Sequence, residues 1–102
     1  RGINITSQIY LNKKIEIEEI IEIYKIFYNG QNLIKVGKEV PYISNIAGKS
    51  EVHIGGFSID SSSNSLRVIC VLDNLLKGAA TQAIQNTNYL LGLNELTGIN
   101  NE

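Results

Sequence analysis

Residues 52–72 read Val-His-Ile-Gly-Gly-Phe-Ser-Ile-Asp-Ser-Ser-Ser-Asn-Ser-Leu-Arg-Val-Ile-Cys-Val-Leu. Leu66, Val68, Cys70 and Leu72 recur at every second position, the period of a strand with one buried face. Before them, Ser61-Ser62-Ser63-Asn64 is a polar run of turn formers, so the chain reverses there. Val52 and Ile54 begin the partner strand, but Phe57 and Ile59 fall on its opposite face. One extra residue at Gly55-Gly56 restores a single apolar face, and the pattern predicts a β-bulge at that pair. A bulged antiparallel hairpin is thus the expected centre of the fold.

Downstream, residues 73–86 read DNLLKGAATQAIQN. Asp73 closes the alternation, Asn74 and Gly78 are turn formers, and Ala79 is the expected start of a helix. The first N–H groups of a helix lack intrahelical partners and favour an anionic or carbonyl-bearing ligand; Lys77 adds a cation beside them. Along the helix, Ala80, Ile84, Thr87 and Leu91 share the side expected to cover the core. Gln82, Gln85, Asn86 and Tyr89 share the other. Residues 1–91 are expected to form one domain, and 92–102 a flexible tail.

Upstream, Ile3, Ile5, Ser7, Ile9 and Leu11 alternate with Asn4, Thr6, Gln8 and Tyr10, which predicts a half-buried strand. Asn12-Lys13-Lys14 turns the chain. Ile17, Ile20, Ile21, Tyr24, Phe27 and Tyr28 then follow helical spacing. The isoleucines and the Ile15-Glu16-Ile17-Glu18 alternation favour a strand instead. The glutamates at 16, 18, 19 and 22, placed where a helix dipole favours anions, and the longer 3.6-residue period decide for a helix ending at Asn29-Gly30. Leu33–Val36 is a short strand, and 37–50 a long loop. The order β-α-β-β-β-α predicts an α+β two-layer sandwich, a mainly antiparallel sheet with helices on one face.

At 102 residues with 43% hydrophobic and 19% charged side chains, the chain is one ordinary globular domain. A net charge of −1 gives no electrostatic reason to expect nucleic acid or an anionic membrane surface. No apolar run reaches the roughly 20 residues of a membrane span. The single cysteine excludes an internal disulfide and suits a reducing cytoplasm; no metal site is expected. Cys70 shares a strand face with Leu66, Val68 and Leu72 and has no adjacent cation in sequence to activate it, so it reads as a core thiol. His53 reads as a surface or interface histidine. Arg1 is the residue expected to hold a substrate carboxylate or phosphate.

The run DNLLKGAATQAIQNTNYLLGLNE, from Asp73 to Glu95, resembles the C-terminal signature of N-acetyl-gamma-glutamyl-phosphate reductase. Arg1-Gly2-Ile3 and the segment from Glu18 to Tyr28 resemble the same family, and Gly48-Lys49-Ser50 and His53-Ile54-Gly55 sit, in the same order, where it has a Gly-Ser-Asn or Gly-Thr-Asn step and then an Asp- or His-Ile-Gly. The resemblance implies a fold similar to the C-terminal domain of glyceraldehyde-3-phosphate dehydrogenase. It also implies NADP-dependent reduction of an acyl phosphate to a semialdehyde through a cysteine thioester, in arginine biosynthesis. By the same resemblance, Asn74, Lys77 and Gly78 approach the nicotinamide end of the cofactor. The catalytic cysteine and histidine of the family lie upstream of the matching region, so no catalytic residue is expected among these 102. No Gly-x-Gly-x-x-Gly follows a strand, so the nucleotide-binding half is expected on a missing N-terminal domain. The chain reads as a C-terminal piece of a larger enzyme, inactive alone, with no cofactor bound by itself. Its expected partners are a second copy of itself, that missing domain and, in the intact enzyme, a small-molecule substrate. An aspartate-semialdehyde dehydrogenase-like domain, which shares the fold and a related turn, and a non-catalytic binding or assembly module are the alternatives.

Overall fold

A computed structural model describes residues 1–99. Four strands form one sheet: β1 (Ile3–Tyr10), β2 (Ile34–Val36), β3 (Val52–Asp60) and β4 (Ser65–Leu72), in the spatial order β1-β4-β3-β2. β4 is antiparallel to both β1 and β3, and β2 lies parallel to β3 at the far edge. The helices are α1 (Ile17–Phe27), a single turn α2 (Ile43–Ile46) and α3 (Thr81–Leu90), the last entered through a π-helical turn at Leu76–Ala80. The α+β class and the mainly antiparallel sheet are as expected.

The central hairpin carries the bulge at the expected pair. Val52 faces Leu72 and Gly55 faces Ile69, but Ser58 faces Arg67, so β3 has one residue more than β4 between those pairings. That extra residue returns Phe57 to the face of Val52 and Ile54, where the three pack with Leu66, Val68, Ile20 and Ile21. Phe57 meets the Tyr24 ring edge-on at 5.0 Å between centroids. Gly56 holds φ +63°, a conformation that costs an L side chain roughly 1–2 kcal/mol. Gly55 is required for space: a Cβ there would stand 2.2 Å from the backbone oxygen of Glu39. The 37–40 loop lies against the strand at this point, with Gly56 N–H donating to Glu39 O at 3.0 Å and Gly37 N–H to Ile54 O at 3.0 Å.

The layering departs from the expected arrangement of helices on one face. α1 packs on β2 and β3, over the face of Leu66 and Val68. α2 lies on the opposite face, where Ile46 and Ile43 cover Ile69 and Val71. The alternation of β4 explains this: Ile69 and Val71 interleave with the expected core positions, so β4 is apolar on both sides and needs two covers. The long 37–50 loop supplies the second cover as one helical turn, at whose start Asn45 Oδ1 accepts from Tyr42 N–H at 3.0 Å.

β1 forms over the expected span, but its apolar face is not buried. Because α1 sits toward the β2 edge, Ile3, Ile5 and Ile9 remain 39%, 48% and 39% exposed. α3 also turns a different side inward. It continues directly from the π-helical turn, with Thr81 and Asn88 buried, while Ala80, Ile84, Thr87 and Leu91 are exposed. Polar anchors set this rotation. The Thr81 and Ser50 hydroxyls meet at 3.0 Å, and Asn88 Nδ2 donates to Glu95 O and Thr97 O, each at 2.9 Å. The segment expected to be a tail therefore carries hydrogen bonds over 92–99; 100–102 lie outside the described residues.

Candidate functional site

β4 delivers Asp73 and Asn74 to a turn where the start of β1, the loop after α2 and the start of α3 meet. Asp73 has a side chain with no solvent exposure. Its Oδ1 accepts from Leu75 N–H at 2.8 Å and Leu76 N–H at 3.2 Å. Its Oδ2 accepts from Gly48 N–H at 2.8 Å and lies 2.7 Å from Arg1 Nε. Burial pushes the carboxyl pKa up, but the donors from Gly48, Leu75, Leu76 and Arg1 together outweigh it and hold the pKa at about 2.

This arrangement changes the meaning of the expected helix start. The helical stretch begins at Leu76 rather than Ala79, and Asp73 caps it by taking N–H groups two and three residues ahead. Deeper in the turn, Gly78 N–H donates to Asp73 O at 3.0 Å and Ala80 N–H to Leu75 O at 3.2 Å. The Thr81 N–H donates to Leu76 O. The N–H groups of Leu75, Leu76, Gly78, Ala80 and Thr81 are thus bound internally, by a built-in carboxylate and by i→i+5 bonds.

Asn74, Lys77 and Gly78 all lie on this turn, and the Asn74 and Lys77 side chains are held by different partners. Asn74 Oδ1 accepts from Gly2 N–H at 2.7 Å; that donor fixes the amide orientation and leaves Nδ2–H₂ without a partner among the described residues. The Lys77 ammonium lies back along α3 and donates to Gln85 Oε1. Gln85 Nε2 reaches Glu95 Oε2 at 3.5 Å, and Asn32 Nδ2 reaches Glu95 Oε1 at 3.3 Å. Burial lowers the Lys77 pKa, and the nearby Glu95 charge opposes that shift. Gly78 has room limits of its own: an added Cβ would lie 3.1 Å from Leu72 Cδ1. Arg1, expected to meet a substrate anion, spends its Nε–H on Asp73 while about half its side chain stays in solvent.

The other reactive side chains lie elsewhere. Cys70 is half-buried against the α1-side core, and burial raises its pKa. His53 is on the opposite face of the sheet from Cys70, half-buried, its Nε2 3.6 Å from Glu51 Oε1. It lines a groove of about 490 Å³ with Lys35, Lys38, Val40 and Asn45. Among the described residues no group of three or more His, Cys, Asp or Glu is placed to hold a metal ion. Asp73 and Gln85 are the site residues that pattern reading does not single out. The signal for Asp73 is its place: an Asp directly after a strand, two and three residues before N–H groups that need a cap.

The family described as semialdehyde dehydrogenase, dimerisation domain, matches residues 1–74. Over 99 residues, 97% of the chain, it is 44% identical to an N-acetyl-gamma-glutamyl-phosphate reductase of Stenotrophomonas maltophilia, and it spans 31% of that protein. It is 46% identical, over its full length, to the bifunctional protein argC, mitochondrial, of Dictyostelium discoideum, of which it spans 12%. The chain thus covers less than a third of the length of these relatives. Among solved structures, the aspartate semialdehyde dehydrogenase II of Vibrio cholerae shares the fold, with a TM-score of 0.70 over 89% of this chain and 27% of that one, at 23% identity.

Proposed function

The chain belongs to the family of semialdehyde dehydrogenase dimerisation domains, and we propose that it is the substrate-side and pairing portion of an NADP-dependent N-acetyl-gamma-glutamyl-phosphate reductase of arginine biosynthesis. The observation that carries this reading is the 44% identity across nearly the whole chain, a span that includes the turn with Asn74, Lys77 and Gly78. In such an enzyme a thiolate outside these residues displaces phosphate from the acyl phosphate, and NADPH supplies the hydride that turns the resulting thioester into the semialdehyde. Within this chain, Asn74 and Lys77 hold the nicotinamide end of the cofactor. The unpartnered Asn74 Nδ2–H₂ suits an uncharged carbonyl acceptor better than a phosphate. The Lys77 ammonium, tethered by Gln85, supplies the positive charge. Arg1 serves substrate binding only through the part of its guanidinium that Asp73 leaves free.

Pairing belongs to the sheet. β1 is an edge strand with exposed Ile3, Ile5 and Ile9, the kind of edge that a protein covers with another chain. A nucleotide-binding domain would meet the exposed side of α3. A reducing compartment, the cytoplasm in a bacterium, suits the free thiol, although some relatives carry mitochondrial names. None of the described helices is long and apolar enough to cross a membrane.

The test is made on the complete enzyme containing this chain, run in reverse with NADP, phosphate and N-acetyl-glutamate semialdehyde. Turnover of that substrate well above turnover of aspartate semialdehyde is expected. Lys77→Ala should raise the KM for NADP about tenfold, the scale of one charged hydrogen bond, with the thermal midpoint little changed. Preference for aspartate semialdehyde would favour the related dehydrogenase. An unchanged KM would leave Lys77 with only its tie to Gln85.

A further inference from the structure

The candidate turn hangs on one side chain that no ligand is expected to touch. Asp73 is fully buried, and its carboxylate gathers four donors from three separate segments: Arg1, the Gly48 loop, and Leu75 with Leu76 in the turn itself. Its backbone oxygen takes a fifth, from Gly78. The residues flanking Lys77 on both sides are therefore bound to residue 73. Asn74 follows directly, with its own side chain tied to Gly2 beside Arg1. We propose that Asp73 is a positioning residue, the tie that sets the 74–78 turn against the start of β1 and the 48 loop so that the Asn74 amide and the Lys77 ammonium face the same ligand. The proposal rests on the reading of that turn as the cofactor-facing part of the chain.

Donor chemistry makes this specific to a carboxylate. Both oxygens accept N–H donors, Oδ1 from Leu75 and Leu76, Oδ2 from Gly48 and Arg1. An Asn of the same shape must aim its NH₂ at one of those two pairs, donor against donor, whichever way the amide is flipped. One side of the tie is then lost although volume and burial are unchanged. A merely space-filling role predicts the opposite, that Asn is tolerated.

The experiment measures amide hydrogen exchange by mass spectrometry in the complete enzyme, comparing wild type with Asp73→Asn, alongside the KM for NADP and kcat. Exchange over 74–80 should quicken by roughly tenfold or more, as expected for charged hydrogen bonds lost, while exchange in the 52–72 hairpin stays as in wild type. The KM should rise more than kcat falls. Wild-type exchange over 74–80, or equal loosening of turn and hairpin, overturns the proposal. Local loosening with an unchanged KM upholds the tie and instead overturns the cofactor reading of the turn. If Asp73→Asn does not fold, Arg1→Gln removes one donor of the four. About threefold faster exchange over the same segment is then expected, and no change overturns the proposal.

Discussion

The Asp73 carboxylate has a consequence that can be read in acid. Its folded pKa of about 2 lies below the roughly 3.9 of an unfolded Asp. A group depressed on folding stabilises the folded state fully above its unfolded pKa and loses that contribution as pH falls through the folded value. Stability should therefore drop between about pH 4 and pH 2, beyond the loss from other carboxylates. In Asp73→Asn the drop over that window should be smaller. Urea midpoints at pH 5 and pH 2.5 for both proteins measure it; identical drops would mean that Asp73 does not titrate as its surroundings require. The same residue explains why the site was only half legible. Asn74, Lys77 and Gly78 stand in the sequence as a turn with a cation. The donors that converge on Asp73 come from residues 1, 48, 75 and 76, and no local pattern reports a convergence of that kind.

Among the elements, the β3–β4 hairpin was the most readable, because an alternation broken by exactly one residue has few explanations other than a bulge. What the pattern does not contain is the reason for two glycines. Gly56 supplies a positive φ, whereas Gly55 makes room for the Glu39 carbonyl of a loop that packs from elsewhere. Gly55→Ala is expected to destabilise the fold by about 3 kcal/mol, since backbone must move to admit the methyl. Gly56→Ala should cost less, about 1–2 kcal/mol, because its close neighbour is the movable end of Ile69. Urea midpoints at constant m-value give the comparison, and the reverse order would mean that the 37–40 loop yields easily. α3 is oriented against its apolar pattern. Its apolar residues point to solvent because Thr81 and Asn88 found polar partners in Ser50 and the 95–97 backbone. A helix attached at one end of a sheet is oriented by such anchors, not by its mean apolar face.

Two apolar surfaces of the molecule stay uncovered. The exposed row Ile3, Ile5 and Ile9 lies on an edge strand, and α3 leaves Tyr89, Leu90 and Leu91 at 83%, 82% and 67% exposure. Apolar surface of this kind marks interfaces, and a closed twofold is the commonest way to satisfy one with a second copy. Sedimentation at micromolar concentration should report a dimer or larger, and Ile5→Lys should shift it toward monomer by placing a charge in the row. A wild-type monomer across that range would assign the pairing surface to residues outside this chain.

Period and punctuation alone determined the α+β class, the hairpin with its bulge, the helical state of α1 and the position of the turn after β4. Each of these follows from interactions within about ten residues, where a repeat of 2 or 3.6 and a Gly or Ser run leave a direct mark. The tertiary structure alone decided which apolar faces are covered, why α2 is needed behind Ile69 and Val71, which side of α3 turns inward, and that Arg1 pairs with Asp73. Those outcomes depend on where segments dozens of residues apart come to lie. A buried carboxylate or a covered isoleucine is decided by the neighbours that the fold brings to it, and its own sequence surroundings do not name them.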